Sequence, residues 1–173
     1  MLTLVSGGSA SGKSEYAESL ILASNARPRV YVATMEVWDQ ESRDRVRRHR
    51  DMRKDKGFVT VEAPRNLRQA VIPQGGAALL ECMSNLCANE CFGPDGFEGA
   101  YDRIWRGVCH LIETCEDVVI VTNELFSDGV AYPAETERYL SVLAELNRAI
   151  AEKADRVYEV CCGIPILWKG ANP

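Results

Sequence analysis

The chain reads as an α/β domain: a mostly parallel sheet with helices on both faces and an antiparallel edge hairpin at the C-terminus. Three observations predict this. Short apolar runs alternate with longer helix-patterned stretches from end to end. The first run opens directly into the glycine-rich stretch GGSASGKS, and the last two runs close around Cys162-Gly163. Alternation of this kind predicts right-handed βαβ units and a parallel sheet covered on both sides. With 173 residues, the chain is long enough for one domain over 1–173 with a sizeable core.

Leu2 to Val5 has the length of a buried strand. Gly7 to Ser14 then fits G-x-x-x-x-G-K-[ST], a phosphate loop (P-loop) whose backbone N–H groups wrap a phosphate chain. In that pattern Lys13 reaches the β- and γ-phosphates and the Ser14 hydroxyl holds Mg²⁺. A helix beginning near Lys13 points its positive end at the same anion. The plain alternative is a Gly/Ser-rich turn. The strand in front and the helical spacing of Tyr16, Ala17, Leu20, Ile21 and Ala23 behind are the context that favours the loop.

RVYVA at Arg29–Ala33 is a second strand, placing Thr34 and Met35 just past its carboxyl end, where ligands bind in open α/β sheets. A charged stretch with a helical pattern follows from Asp39 to about Asp55. Val46, His49, Arg50 and Arg53 share one face of it. One reading is a solvated face laced with Asp–Arg pairs. The other is a cationic surface aimed at phosphates, with one imidazole in its middle.

FVTVE at Phe58–Glu62 alternates like a strand, Asn66–Ile72 reads as a short helix, and 73–76 is a turn. Ala77–Cys82 is an apolar strand that ends in Glu81, the place where a phosphate-loop enzyme keeps its Mg²⁺-side acid; that acid is ordinarily Asp, so Glu81 is a variant of it, has another job, or is a strand-end surface acid. Ser84 is placed to cap a helix through Cys91, where Cys87 and Cys91 share a face without a second ligand pair. Tyr101–Thr114 is an amphipathic helix carrying His110, read as surface or partly packed. Val118–Val121 is a buried strand, followed by Thr122-Asn123-Glu124 and an irregular loop over 125–133. Glu135–Lys153 is a long helix with Tyr139, Val142, Leu143, Leu146 and Ile150 inward. Arg156–Val160 and Ile164–Trp168 form the closing hairpin.

A net charge of −5 disfavours wholesale binding to nucleic acid, and no apolar run approaches a membrane span. Seven cysteines without a secretion signal point to reduced thiols in the cytoplasm.

Taken together, GGSASGKS, YVAT at Tyr31–Thr34, RRHRDMR at Arg47–Arg53, LLEC at Leu79–Cys82 and VTNE at Val121–Glu124 resemble, in order and over nearly the whole length, the bifunctional adenosylcobinamide kinase / adenosylcobinamide-phosphate guanylyltransferase family of cobalamin synthesis. The resemblance implies a RecA-like P-loop fold and a homotrimer. It implies two reactions: phosphorylation of adenosylcobinamide by ATP or GTP with Mg²⁺, then transfer of GMP from GTP through a guanylyl-histidine at His49. It maps nucleotide contacts to Ser6, Gly7, Gly8, Ser9, Ala10, Ser11, Gly12 and Lys13, to Ala33, Thr34 and Met35, to Arg50, Asp51, Met52 and Arg53, and to Glu62 and Glu81. A neutral imidazole is a competent nucleophile near pH 7, and surrounding guanidinium groups keep it unprotonated and stabilise charge on phosphorus. The chain departs from the family pattern after its TNE. Leu125-Phe126-Ser127-Asp128-Gly129-Val130 replaces a G-x-G-I-V-P loop, and Ser141, Ala144 and Arg148 stand where Asp, Gly and Gln are expected. Two other readings of the P-loop are a small-molecule kinase without a covalent intermediate and a nucleotide-dependent binding protein.

Overall fold

The computed structural model describes residues 1–36, 47 and 55–171. Its strands are β1 (Leu2–Ser6), β2 (Arg29–Ala33), β3 (Phe58–Glu62), β4 (Ala77–Glu81), β5 (Asp117–Val121), β6 (Arg156–Cys161) and β7 (Ile164–Lys169). Its helices are α1 (Lys13–Ala23), α2 (Met83–Cys91), α3 (Ala100–Thr114) and α4 (Ala134–Lys153). One sheet runs in the order β3-β2-β4-β5-β1-β6-β7. Every neighbouring pair is parallel except β6 and β7. The expected RecA-like P-loop arrangement with an antiparallel edge hairpin is therefore the observed one.

Period-two alternation divides the core between the two faces of the sheet. Leu2, Leu4, Val30, Val32, Leu80, Val118 and Ile120 pack on one side with Met83 and Leu86 of α2, Ile104 and Leu111 of α3, and Leu143, Leu146 and Ile150 of α4. Val5, Tyr31, Leu79, Val119 and Val121 pack on the other side against Ala17 and Ile21 of α1. In α1 the buried residues Lys13, Ala17 and Ile21 repeat every four, so this helix lays a narrow stripe on the sheet. α3 approaches closely because Gly107 leaves room for Leu67; a Cβ there would lie 2.6 Å from the Leu67 Cβ.

Three local expectations change. The helix read over Asn66–Ile72 is a 3-10 turn at Leu67–Gln69, preceded by Asn66 with φ 51°. A left-handed residue there breaks the helical run. α2 begins at Met83, with Cys82 rather than Ser84 before it. Ser84 instead lies inside the first turn, where its Oγ accepts from Asn123 Nδ2 at 2.5 Å. β4 stops at Glu81, one residue short of Cys82. The remaining bounds shift at the ends by a residue or so, as helix and strand termini commonly do. The residues 125–133 form neither helix nor strand, as read from sequence.

Candidate active site

Parallel pairing puts the carboxyl ends of five strands in one row. Glu62 of β3 lies opposite Ala33 of β2, Ala33 opposite Glu81 of β4, Glu81 opposite Val121 of β5, and Val121 opposite Val5 of β1. Beyond β1 the chain turns through Gly7 to Gly12 and enters α1 at Lys13. The glycines are needed for different reasons. Gly12 has φ 90°, and a Cβ on it would meet the Gly163 Cα at 3.1 Å. A Cβ on Gly7 would meet the Val160 carbonyl oxygen at 2.6 Å, so the loop hugs the end of β6. A Cβ on Gly8 meets nothing within 4 Å.

The loop is tied down from outside. Glu124 N–H donates to the Gly7 carbonyl at 3.0 Å, and Gly163 N–H donates to the Ser11 carbonyl at 2.8 Å. Within it, Ser11 N–H donates to the Gly8 carbonyl at 3.3 Å. Among the described residues, the N–H groups of Ser9, Ala10, Gly12, Lys13 and Ser14 donate to no protein acceptor. Several unmatched donors at the mouth of a helix form an anion-binding nest. The Ser11 Oγ is likewise buried without a partner.

Lys13 is 8% exposed and donates from Nζ to the Gly8 carbonyl at 2.8 Å. Burial pulls its ammonium below the ordinary lysine range, while the neighbouring Cys82 and Glu81 act in the opposite direction. Glu81 is half-buried at the tip of β4, and its Oε2 accepts from the Tyr31 hydroxyl at 3.1 Å. Thr34 is fully buried behind it, bonded to both the N–H and the carbonyl of Cys82. Burial pushes the Cys82 thiol up, so it stays a neutral packing group. A hydroxyl at the start of α1 (Ser14) and a carboxylate at the tip of β4 (Glu81) supply the hard oxygen donors that suit Mg²⁺.

The structure thus brings Ser6, the loop from Gly7 to Ser14, Ala33, Thr34, Met35, Glu62 and Glu81 to the carboxyl end of one sheet, with Glu62 at its far edge and exposed. His49, Arg50, Asp51, Met52 and Arg53 lie outside the described residues, as does all of the charged stretch read as a helix except helical Arg47 and Asp55. His110 is partly packed on α3 and shares a hydrogen bond with the Ala70 carbonyl at 3.2 Å, in keeping with the sequence reading. Cys87 and Cys91 do share a helix face, with sulfurs 3.9 Å apart, and no metal-holding cluster occurs among the described residues.

Two supporting residues went unread. The sequence reading places Tyr31 only in the second strand and its YVAT motif, although alternation alone puts it on the same side as Ala33 and hence near Glu81. Asn89 on α2 donates to the carbonyls of Thr34 at 2.8 Å and Pro64 at 2.9 Å, fixing the two loops that leave β2 and β3. No local sequence signal marks it.

Comparison with known proteins agrees with this geometry. Residues 3–167 match the model of the cobinamide kinase / cobinamide phosphate guanyltransferase family. The chain is 30% identical to the bifunctional adenosylcobalamin biosynthesis protein CobU of Salmonella typhimurium, over 98% of this chain and 100% of that one. It is 29% identical to its Escherichia coli counterpart over the same shares. It is 30% identical to the bifunctional adenosylcobalamin biosynthesis protein CobP of Pseudomonas aeruginosa, over 98% of each. A solved protein of Pyrococcus horikoshii OT3 shares the fold at a TM-score of 0.52 and 8% identity, over 99% of this chain and 87% of that one. No helix among the described residues is long and apolar enough to cross a membrane. A full-length family match and a phosphate loop seated at the carboxyl end of a parallel sheet lead to one conclusion: the chain belongs to the cobinamide kinase / cobinamide phosphate guanyltransferase family of enzymes.

Proposed function

We propose that this chain phosphorylates adenosylcobinamide with a nucleoside triphosphate, ATP or GTP, and then converts the product to adenosylcobinamide-GDP with GTP, releasing pyrophosphate. The observation that carries the nucleotide half is the set of unmatched N–H donors of Ser9, Ala10, Gly12, Lys13 and Ser14 beside the buried Lys13 side chain. Those donors and the Lys13 ammonium neutralise the β- and γ-phosphates, and the corrinoid hydroxyl attacks the γ-phosphorus. Ser14 and Glu81 would hold Mg²⁺, which would supply positive charge beside the transferring phosphoryl group. Ala33 and Met35 line the nucleotide from the tip of β2, with Thr34 buried behind them as a support rather than a contact, and Glu62 and Glu81 bound the far side.

In the second reaction the His49 imidazole attacks the α-phosphorus of GTP, forming a P–N bond and expelling pyrophosphate. The corrinoid phosphate oxygen then attacks the same phosphorus, breaking the P–N bond and restoring the imidazole. Covalent transfer splits one difficult step into two. Arg50 and Arg53, one and four residues after His49 in the sequence, hold the departing pyrophosphate, with Asp51 and Met52 as further nucleotide contacts. The acting form is a cytoplasmic homotrimer in which 1–173 works as one unit.

Incubation with GTP radiolabelled at the α-phosphorus tests the reading. The protein should retain label that survives base and is lost in acid, the behaviour of a phosphoramidate. His49→Ala should abolish the label while cobinamide phosphorylation continues. Phosphorylation without any label in the wild type would leave a small-molecule kinase in place of the two-step enzyme.

A further inference from the structure

The end of β6 and the turn into β7 carry two adjacent cysteines, Cys161 and Cys162, both exposed. Their sulfurs lie 4.0 Å apart. Of the other five cysteines, Cys82, Cys87, Cys91 and Cys115 are buried and Cys109 is half-buried. This turn is also one of the outside supports of the phosphate loop. Cys162 has φ 51°, and the next residue, Gly163, donates its N–H to the Ser11 carbonyl at 2.8 Å. The Gly163 Cα sits so close to Gly12 that a Cβ on Gly12 would be 3.1 Å from it. The geometry of the dithiol and the geometry of the loop are therefore set by the same few backbone atoms.

We propose that Cys161 and Cys162 form a redox modification site, a vicinal dithiol that low-molecular-weight disulfides such as glutathione disulfide convert to a ring disulfide, loosening the phosphate loop. One thiolate attacks a sulfur of the small disulfide, forming a mixed disulfide and expelling one small thiolate. The neighbouring thiolate then attacks the cysteine sulfur of the mixed disulfide and expels the second. The two cysteines lose two electrons to the small disulfide, and their two protons pass to the two departing thiolates.

Two features make the ring labile and its effect local. Consecutive Cα atoms are about 3.8 Å apart, shorter than the roughly 4.4–6.8 Å that disulfides usually span, so closure strains the bond and leaves it easily reduced. The same closure must turn the backbone at Cys162, which carries the Gly163 N–H away from Ser11. The hydrogen bond shared with Cys162 pushes the Cys161 thiol up, so the exchange accelerates with rising pH. The effect on nucleotide rests on the reading of the loop as a nucleotide site; the dithiol chemistry does not.

The test uses the full chain, first reduced and then exposed to glutathione disulfide. The tryptic peptide spanning 161–162 should become two hydrogens lighter. Amide hydrogen exchange across 7–14 should quicken, and affinity for a fluorescent GTP analogue should fall by about fivefold, the weight of one lost hydrogen bond. A dithiol reductant should reverse all three. Cys161→Ser and Cys162→Ser should each block the ring, whereas Cys87→Ser should not. Absence of the ring in the wild type, or a ring that leaves exchange across 7–14 unchanged, overturns the proposal. A reduced protein that binds no GTP analogue would instead overturn the nucleotide reading, with mass and exchange still deciding the dithiol.

Discussion

Thr34 and Cys82 clasp each other across the tips of β2 and β4. The Thr34 hydroxyl donates to the Cys82 carbonyl at 2.8 Å and accepts from the Cys82 N–H at 2.7 Å, with no solvent reaching Thr34. Thr34→Val keeps the shape and deletes both bonds, stranding a buried donor and a buried acceptor. The expected loss is about 2–4 kcal/mol, read as a lower urea midpoint at unchanged slope. Thr34→Ser should recover most of it.

Lys13 is held below its ordinary pKa by burial, against the pull of Cys82 and Glu81. A folded pKa below the unfolded one means that the native state binds this proton the more weakly. The charged side chain thus opposes folding in full below the folded pKa, and the penalty fades as pH rises through that value toward 10.5. Lys13→Met should lower nucleotide turnover by about a hundredfold or more while leaving the urea midpoint at pH 7 equal or higher. Any gain over the wild type should shrink as the measurement is moved to alkaline pH.

Gly7 and Gly8 are neighbours in the motif with opposite surroundings. Alanine at Gly7 collides with the Val160 carbonyl and should cost about 1–3 kcal/mol in thermal or urea unfolding. Alanine at Gly8 enters open space and should leave stability within about 0.5 kcal/mol. If phosphates run past Gly8, isothermal titration of Gly8→Ala should still show weakened nucleotide binding in a protein as stable as the wild type.

Glu90 is a buried carboxylate on α2. Its Oε2 accepts from Arg103 Nε at 3.0 Å and its Oε1 from the Asn66 N–H at 2.7 Å. Arg103→Met leaves that charge unpaired and should destabilise the protein by about 3–5 kcal/mol. Combining it with Glu90→Gln keeps an acceptor for Asn66 without the charge. Chemical denaturation of the double variant should show a loss well below the sum of the two single changes.

These cases also mark what was legible in the sequence. The strands could be read because each is a short apolar run bounded by turn residues, and both faces of the sheet are covered. The phosphate loop could be read because its geometry demands glycine, lysine and serine at fixed spacing. Glu90 could not: a glutamate within a helix reads as a solvated charge, and its partner Arg103 sits thirteen residues away on another helix. Asn66 was read as helical because its left-handed φ is fixed by that same Glu90 contact rather than by neighbours in sequence. Ser84 looked like a helix cap by residue type, but packing against Asn123 drew it inside the turn. Tertiary contacts, invisible in a linear pattern, decided each of these.

β1 pairs only with β5 and β6, both contributed by the last third of the chain. During synthesis, then, the strand that launches the phosphate cradle emerges first and waits longest for partners. β2, β3 and β4 can assemble among themselves while β1 still has no ladder to join. The outside supports of the loop, Glu124 and Gly163, belong to the same late stretch, so a half-made chain carries the motif before anything holds it in place.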